Sequence, residues 1–372
     1  MTVTELEVDA YTDFASLSFP PQFAADALRI SPQTLKIIER DNQLKISRVS
    51  RGSVEVRSYS LADIFQIARI RRENKSTKAF SRPITVANFV PKGGTGKTTT
   101  TCDFAIQFAY LGLKVLVIDN DQQADASTML GYDPDLTAEE LIEMGVPADR
   151  GISGHIGNLM RIGNFYQPMT LDEVIKKPFG ELGPHLIPAE DSLDDMDAAL
   201  RSANGSDFRY SLFFEQARAG EIPHCDLSGY DVIIIDNAPA GSLLSRNSMV
   251  AADFLICPIR MDKFSYRALS RLAYKLNEFA KDFKRAPEIV AIPTMYVKNR
   301  PRIERNLSQL VSLFPGKVTE NRLFYSEDYS KSLDEGIPLS MWRPGTDNSL
   351  GAMRDVFDEF VARIRAVTEG TK

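Results

Sequence analysis

The sequence predicts an α/β protein, a mainly parallel sheet flanked by helices, preceded by a small N-terminal domain. Three observations carry this prediction. Short apolar runs such as "ITVANFV", "KVLVID" and "DVIIID" alternate with amphipathic stretches of helical length. Continuously apolar strands separated by helices fit a parallel sheet covered on both faces. A glycine-rich segment, "FVPKGGTGKTTT" at 89–100, joins the first such strand to the first such helix. A polar stretch ending in proline, "ENKSTKAFSRP" at 73–83, reads as a linker. The expected domains are therefore residues 1–80 and 81–372.

The N-terminal elements follow in order. "FAADAL" reads as a short helix. "ISPQTLKIIERDNQL" reads as a turn and a second helix, with Pro32 in the first turn and Leu35, Ile38 and Leu44 on a buried side. "KISRVSRGSVEVRSYS" alternates like a two-stranded wing turning at Arg51-Gly52. "SLADIFQIARIRR" is an amphipathic helix with Ser60 as cap and Asp63 three residues on. Residues 1–20 are expected to add a dimer-forming helix. The chain carries a net charge of -6, yet residues 29–78 hold twelve Lys and Arg against five Asp and Glu. That asymmetry suits a polyanion-binding face and equally a solvated helical surface.

In the large part, strands are expected at 84–90, 114–119, 185–189, 231–236, 253–259 and 288–296. Gly112 is expected to close the helix after the first strand. Residues 145–185 are rich in Gly and Pro and show no clear period. No apolar run approaches the roughly 20 residues that span a bilayer. The N-terminus is acidic and lacks a signal-peptide pattern, so a cytoplasmic location is expected. Cys102, Cys225 and Cys257 fit no metal spacing and read as reduced, buried thiols.

The glycine-rich segment carries the chemistry. Successive glycines let backbone N–H groups surround phosphate oxygens, and the following helix adds its positive end. Gly93, Gly94, Thr95, Gly96, Lys97, Thr98 and Thr99 are the expected nucleotide-binding residues. Lys97 would meet the β- and γ-phosphates, and the Thr98 hydroxyl would meet Mg²⁺. One departure stands out. The usual first glycine is replaced by Pro91, and a second lysine, Lys92, follows it.

Lys-Gly-Gly-x-Gly-Lys-Thr-Thr resembles the deviant phosphate loop (deviant Walker A) of the ParA/MinD group of dimeric ATPases, over roughly residues 83–345. The resemblance implies a P-loop ATPase binding ATP and Mg²⁺ in a homodimer. It implies that Lys92 reaches the nucleotide of a partner subunit. "VLVIDNDQQADAS" resembles the family's Asp-x-Asp-Pro-Gln segment, with Gln122 in place of the proline. There Asp121 matches the aspartate that positions the attacking water, and Asp119 supports it. Lys92, Lys97 and Asp121 are thus the expected catalytic set. Asp236 ends "DVIIID" where the family holds Mg²⁺, with Ala238 and Pro239 at the places of two prolines. Asp262 stands where an acidic residue is common. The stretch 314–340 looks like the family's segment near the nucleotide base; Pro258 and Met295 are further guesses at base contacts.

The N-terminal part, especially "RSYSLADI", resembles the winged helix-turn-helix DNA-binding domain of the MerR type. The resemblance nominates Gln33, Thr34, Lys36, Arg40, Arg48, Arg51 and Arg57 for DNA contact. Long ParA proteins use such a domain to regulate their own operon. Arg302 and Arg305, with Arg267, Arg271 and Arg300, are nominated for sequence-independent contact on the large domain. The leading expectation is a nucleoid-associated DNA-partition ATPase acting with a ParB-like centromere-binding protein. A membrane-cycling ATPase of the MinD type and a nucleotide-sensing transcription regulator are the alternatives. The C-terminal "MRDVFDEFVARIRAVTEGTK" is amphipathic but neutral, which favours packing over membrane binding.

Overall fold

Pro32 and Ser60 start two of the three helices in the N-terminal part. The computed structural model describes residues 12–163, 165–239, 241–263, 266–283 and 286–370. Strand β1 (Ser18–Phe19) precedes α1 (Pro21–Ala27) and α2 (Pro32–Asp41). A hairpin follows, β2 (Ser47–Arg51) and β3 (Val54–Ser60), and then α3 (Leu61–Glu73). Ser31 caps α2 by accepting the Thr34 N–H at 3.0 Å, with Pro32 in its first turn. Ser60 and Asp63 form a reciprocal capping box on α3. The expected helix within residues 1–20 is not what residues 12–20 form. They make one 3₁₀ turn, Phe14–Ser16, and then β1, which pairs antiparallel with β3. Pro20 is extended at the N-cap of α1, and Pro21 occupies the first turn of that helix. Residues 1–11 lie outside the described ones.

The expected strands of the large part all form. They are β4 (Ile84–Asn88), β5 (Val115–Asn120), β6 (His185–Ile187), β7 (Val232–Asn237), β8 (Phe254–Arg260) and β9 (Glu288–Thr294). Their order is β6-β5-β7-β4-β8-β9, and all five pairings are parallel. β9 ends earlier than expected because Met295 turns into the left-handed region at φ 51°. Helix α4 (Lys97–Tyr110) leaves the glycine-rich loop, and Gly112 follows it at φ 77° as expected. All three cysteines are buried and free. Among the described residues, no helix is long and apolar enough to cross a membrane.

One core joins the two parts. It runs from Phe14, Phe19, Ile64 and Phe65 to Phe104, Phe108, Phe357 and Phe360. Phe65 of α3 stacks on Tyr110 of α4 with centroids 5.6 Å apart. Arg72 grips both carboxylate oxygens of Asp231 at 2.5 Å. The C-terminal helix Ala352–Thr368 buries Val356, Phe357, Phe360, Val361 and Ile364 in the same core.

Candidate nucleotide site

The loop after β4 follows a parallel strand in the middle of the sheet, where ligands of open α/β sheets gather. Gly94 and Gly96 adopt φ of 64° and 92°, the conformations that the turn into α4 requires of glycine. Side chains brace the loop from outside. Thr294 donates to the Thr95 carbonyl at 3.1 Å, and Arg260 to the Gly94 carbonyl at 3.0 Å. Arg260 is itself held by Asp262 at 2.6 Å, which gives that expected acidic residue a physical task.

The loop walls one end of a cavity of about 590 Å³, the size of a small-molecule site. Gly93 through Thr99 line it, together with Asp121, Gln123, Asp125 and Pro239. Lys97 is buried, and burial pulls its ammonium pKa down against the raising pull of Asp236, Asp121 and Asp125. Lys92 is absent from the lining. It is exposed, and its ammonium donates to the Lys263 carbonyl at 2.7 Å. Its ammonium is therefore engaged outside the cavity that its own loop lines.

Asp236 is paired with the first turns of α4. Thr98 donates to Asp236 Oδ2 at 2.7 Å and Thr101 to Oδ1 at 2.8 Å. Burial pushes the Asp236 carboxyl up to about 6, partly offset by these bonds. A hydroxyl and a carboxylate side by side fit Mg²⁺, which takes one or two protein oxygens and completes its shell with phosphates and water. Among the described residues no three His, Cys, Asp or Glu side chains form a cage for another ion. Asp119 faces inward: it accepts from Ser127 N–H and hydroxyl at 2.8 and 2.7 Å. Burial, then Asp236, raises it to about 8. Asp119 thus pins the helix Asp125–Met129, while Asp121 stays on the cavity wall.

A layer of asparagines below the loop escaped the sequence reading. Asn88, Asn120 and Asn237 end β4, β5 and β7, and each is buried. Asn88 donates to the Lys97 carbonyl at 2.8 Å; Asn120 donates to Asn237 at 2.8 Å; Asn237 donates to the Asn88 carbonyl at 3.0 Å. The signal was present: "ITVAN", "VLVIDN" and "VIIIDN" each end an apolar run in asparagine. Asp125, Gln123 and Arg260 were also missed. The guessed base contacts, Pro258 and Met295, do not line the cavity.

The AAA domain family matches residues 81–289. The chain belongs to this family. Protein IncC of Escherichia coli is 23% identical over 74% of this chain and 66% of its own length. The chromosome-partitioning ATPase Soj of Thermus thermophilus is 26% identical over 77% of this chain and 98% of its own. The chain is similar to both over about three quarters of its length. Two solved structures share the fold. Cobyrinic acid a,c-diamide synthase from Mycobacterium smegmatis, solved with an ATP analogue and magnesium, superposes with a TM-score of 0.58. It is 18% identical and covers 78% of this chain and 98% of its own. A partition protein superposes with a TM-score of 0.57 at 15% identity, over 98% of this chain and 95% of its own. That likeness includes the N-terminal part.

Outside the cavity, the nominated DNA contacts separate into groups. Gln33, Thr34, Lys36 and Arg40 are exposed on α2, and Arg48 on β2. The Arg51 side chain lies outside the described ones. Arg57 is turned inward instead, donating to the buried Glu39 at 2.7 Å, and Tyr59 donates to the same carboxylate. This triad ties the hairpin to α2. Arg302 and Arg305 are exposed on the helix Pro301–Leu313, and Arg267 and Arg271 on the helix Tyr266–Phe283.

Proposed function

We propose that this protein is a ParA-type DNA-partition ATPase. Its nucleotide is ATP with Mg²⁺, held by Gly93–Thr99, Thr98 and Asp236, and Asp121 orients the attacking water. Two copies close on ATP, each giving Lys92 to the other's phosphates. The closed dimer binds nonspecific DNA through Arg302, Arg305 and their exposed neighbours. A ParB-like centromere-binding protein stimulates hydrolysis and release. The N-terminal part is a winged helix-turn-helix that binds operator DNA through Gln33, Thr34, Lys36, Arg40, Arg48 and Arg51, with Arg57 supporting the wing.

The position of Lys92 carries this reading. A lysine beside a phosphate loop, yet outside its cavity, suits a phosphate presented by a second subunit. Phosphoryl transfer depends mostly on positioning and charge, so a lysine arriving in trans would couple pairing to hydrolysis. The neutral C-terminal helix supports partition over membrane cycling, since its apolar face is spent in the core.

The test is binding to nonspecific duplex DNA with ATP, ADP or no nucleotide, across a salt series. Tight binding with ATP alone, weakening steeply with salt, is the expected result. Lys92→Gln should still bind ATP but lose hydrolysis and the ATP-dependent DNA affinity. Binding indifferent to nucleotide would turn the reading into a transcription regulator.

A further inference from the structure

The cavity has a second end that the phosphate chemistry does not use. There Met129, Leu333 and Ile337 form apolar walls. Leu333, which lines this end, is 47% exposed. Two glycines complete this end, Gly131 and Gly336, both left-handed at φ 83° and 62°. Between them lies Thr12, from the segment that leads into the N-terminal part. A Cβ on Gly336 would stand 2.6 Å from the Thr12 hydroxyl. A Cβ on Gly131 would stand 3.1 Å from the Phe14 ring and 3.7 Å from the Thr12 carbonyl. Both glycines thus leave room for this segment. Phe14 anchors it, fully buried and 4.7 Å from the Phe179 ring.

We propose that Thr12 is a nucleotide-contacting residue: the N-terminal segment caps, in cis, the nucleoside of a nucleotide whose phosphates lie on the glycine-rich loop. This rests on the nucleotide reading of the site given above. A nucleotide is polar at one end and flat and largely apolar at the other, and this cavity has the same polarity. With the phosphates at Gly93–Thr99, the apolar end is where the nucleoside meets Met129, Leu333 and Thr12. The seat of the N-terminal segment then becomes part of the nucleotide site, and the nucleotide steadies that segment by mass action.

The experiment compares two probes on the full chain. ADP carries the nucleoside, and inorganic pyrophosphate does not. Thr12→Arg is expected to weaken ADP binding about tenfold or more, a change of about 1.4 kcal/mol, and to leave pyrophosphate binding within about twofold. In the wild-type protein, ADP should slow amide exchange across Phe14–Phe19, and pyrophosphate should not. The exchange measurement stands even where the variant folds poorly. Equal ADP affinity in variant and wild type, or exchange that ADP leaves unchanged, overturns the proposal. Wild-type protein that binds pyrophosphate but not ADP overturns it too and leaves a bare phosphate site. Wild-type protein that binds neither overturns the nucleotide reading itself.

Discussion

Asp103 shows how a single residue in α4 couples pH to stability. It is wholly buried, and one oxygen accepts the Ser340 N–H at 2.6 Å. Among the described residues, the other has no hydrogen-bond partner. Burial pushes the carboxyl from its ordinary 3.8 to about 6, and the Ser340 bond pulls the other way. The folded value lies above the unfolded one, so the folded chain binds the proton more tightly. The stability this group contributes is complete below about pH 4, falls as pH rises through about 6, and is flat beyond. A shift from 3.8 to about 6 corresponds to roughly 3 kcal/mol. Asp103→Asn keeps an acceptor for Ser340 and removes the charge. The variant should lack this slope and gain stability over wild type at neutral pH. Urea midpoints of both proteins at about pH 4.5 and about pH 7.5 read it; parallel slopes would show that Asp103 does not carry the effect. At this scale the sequence was most informative where partners are close in the chain or follow a known spacing. The pattern singled out Lys97 and Thr98, and the resemblance singled out Asp236; the fold brings Thr98 and Asp236 within 2.7 Å of each other. Arg57 could not be placed, because its partner Glu39 lies on another element, and basic composition does not distinguish an inward arginine from an outward one.

Elements were legible where one local signal dominates. The six apolar runs gave all six parallel strands, because strands buried on both faces must be apolar throughout. The α3 cap was readable from Ser60 and Asp63 alone. β1 was not, since two residues carry no periodicity and their pairing with β3 is tertiary. The seam between α3 and α4 was equally hidden. Gly112 read as a helix terminator, and it is one, but it also lets α3 approach. A Cβ there would lie 2.4 Å from the Ala68 carbonyl oxygen. Gly220 is a control: it has φ 73° and nothing within 4 Å of its would-be Cβ. Gly220→Ala should cost only the left-handed backbone term, about 1 kcal/mol. Gly112→Ala should cost that plus roughly 1–3 kcal/mol of overpacking at the seam. Urea midpoints measure both, and equal losses would mean that α3 yields without cost.

The whole molecule divides in sequence but not in its core. The linker at 73–83 is polar and nearly free of regular structure, as its composition predicts. Its composition gives no hint that α3 already rests on α4 before the linker begins, because that contact is made by residues distant in sequence. Phe65 on Tyr110, Arg72 on Asp231, and Arg29 bridging Gln107 and Asp358 all cross the boundary near residue 80. Trp342 tests the consequence. It is the only tryptophan of the chain and is 4% exposed in the shared core. The adjacent Arg343 reaches the Ser18 carbonyl in β1 at 3.3 Å. Far-ultraviolet dichroism reports every helix, whereas Trp342 emission reports this seam. If the parts unfold together, the two signals follow one transition with one midpoint in urea. ADP, bound only by the folded state, should then raise both midpoints equally. An early dichroism phase that neither Trp342 nor ADP registers would show the N-terminal part unfolding alone. One transition, by contrast, would mean that a ligand at the phosphate loop stabilises the hairpin and α2 as well, although neither touches it.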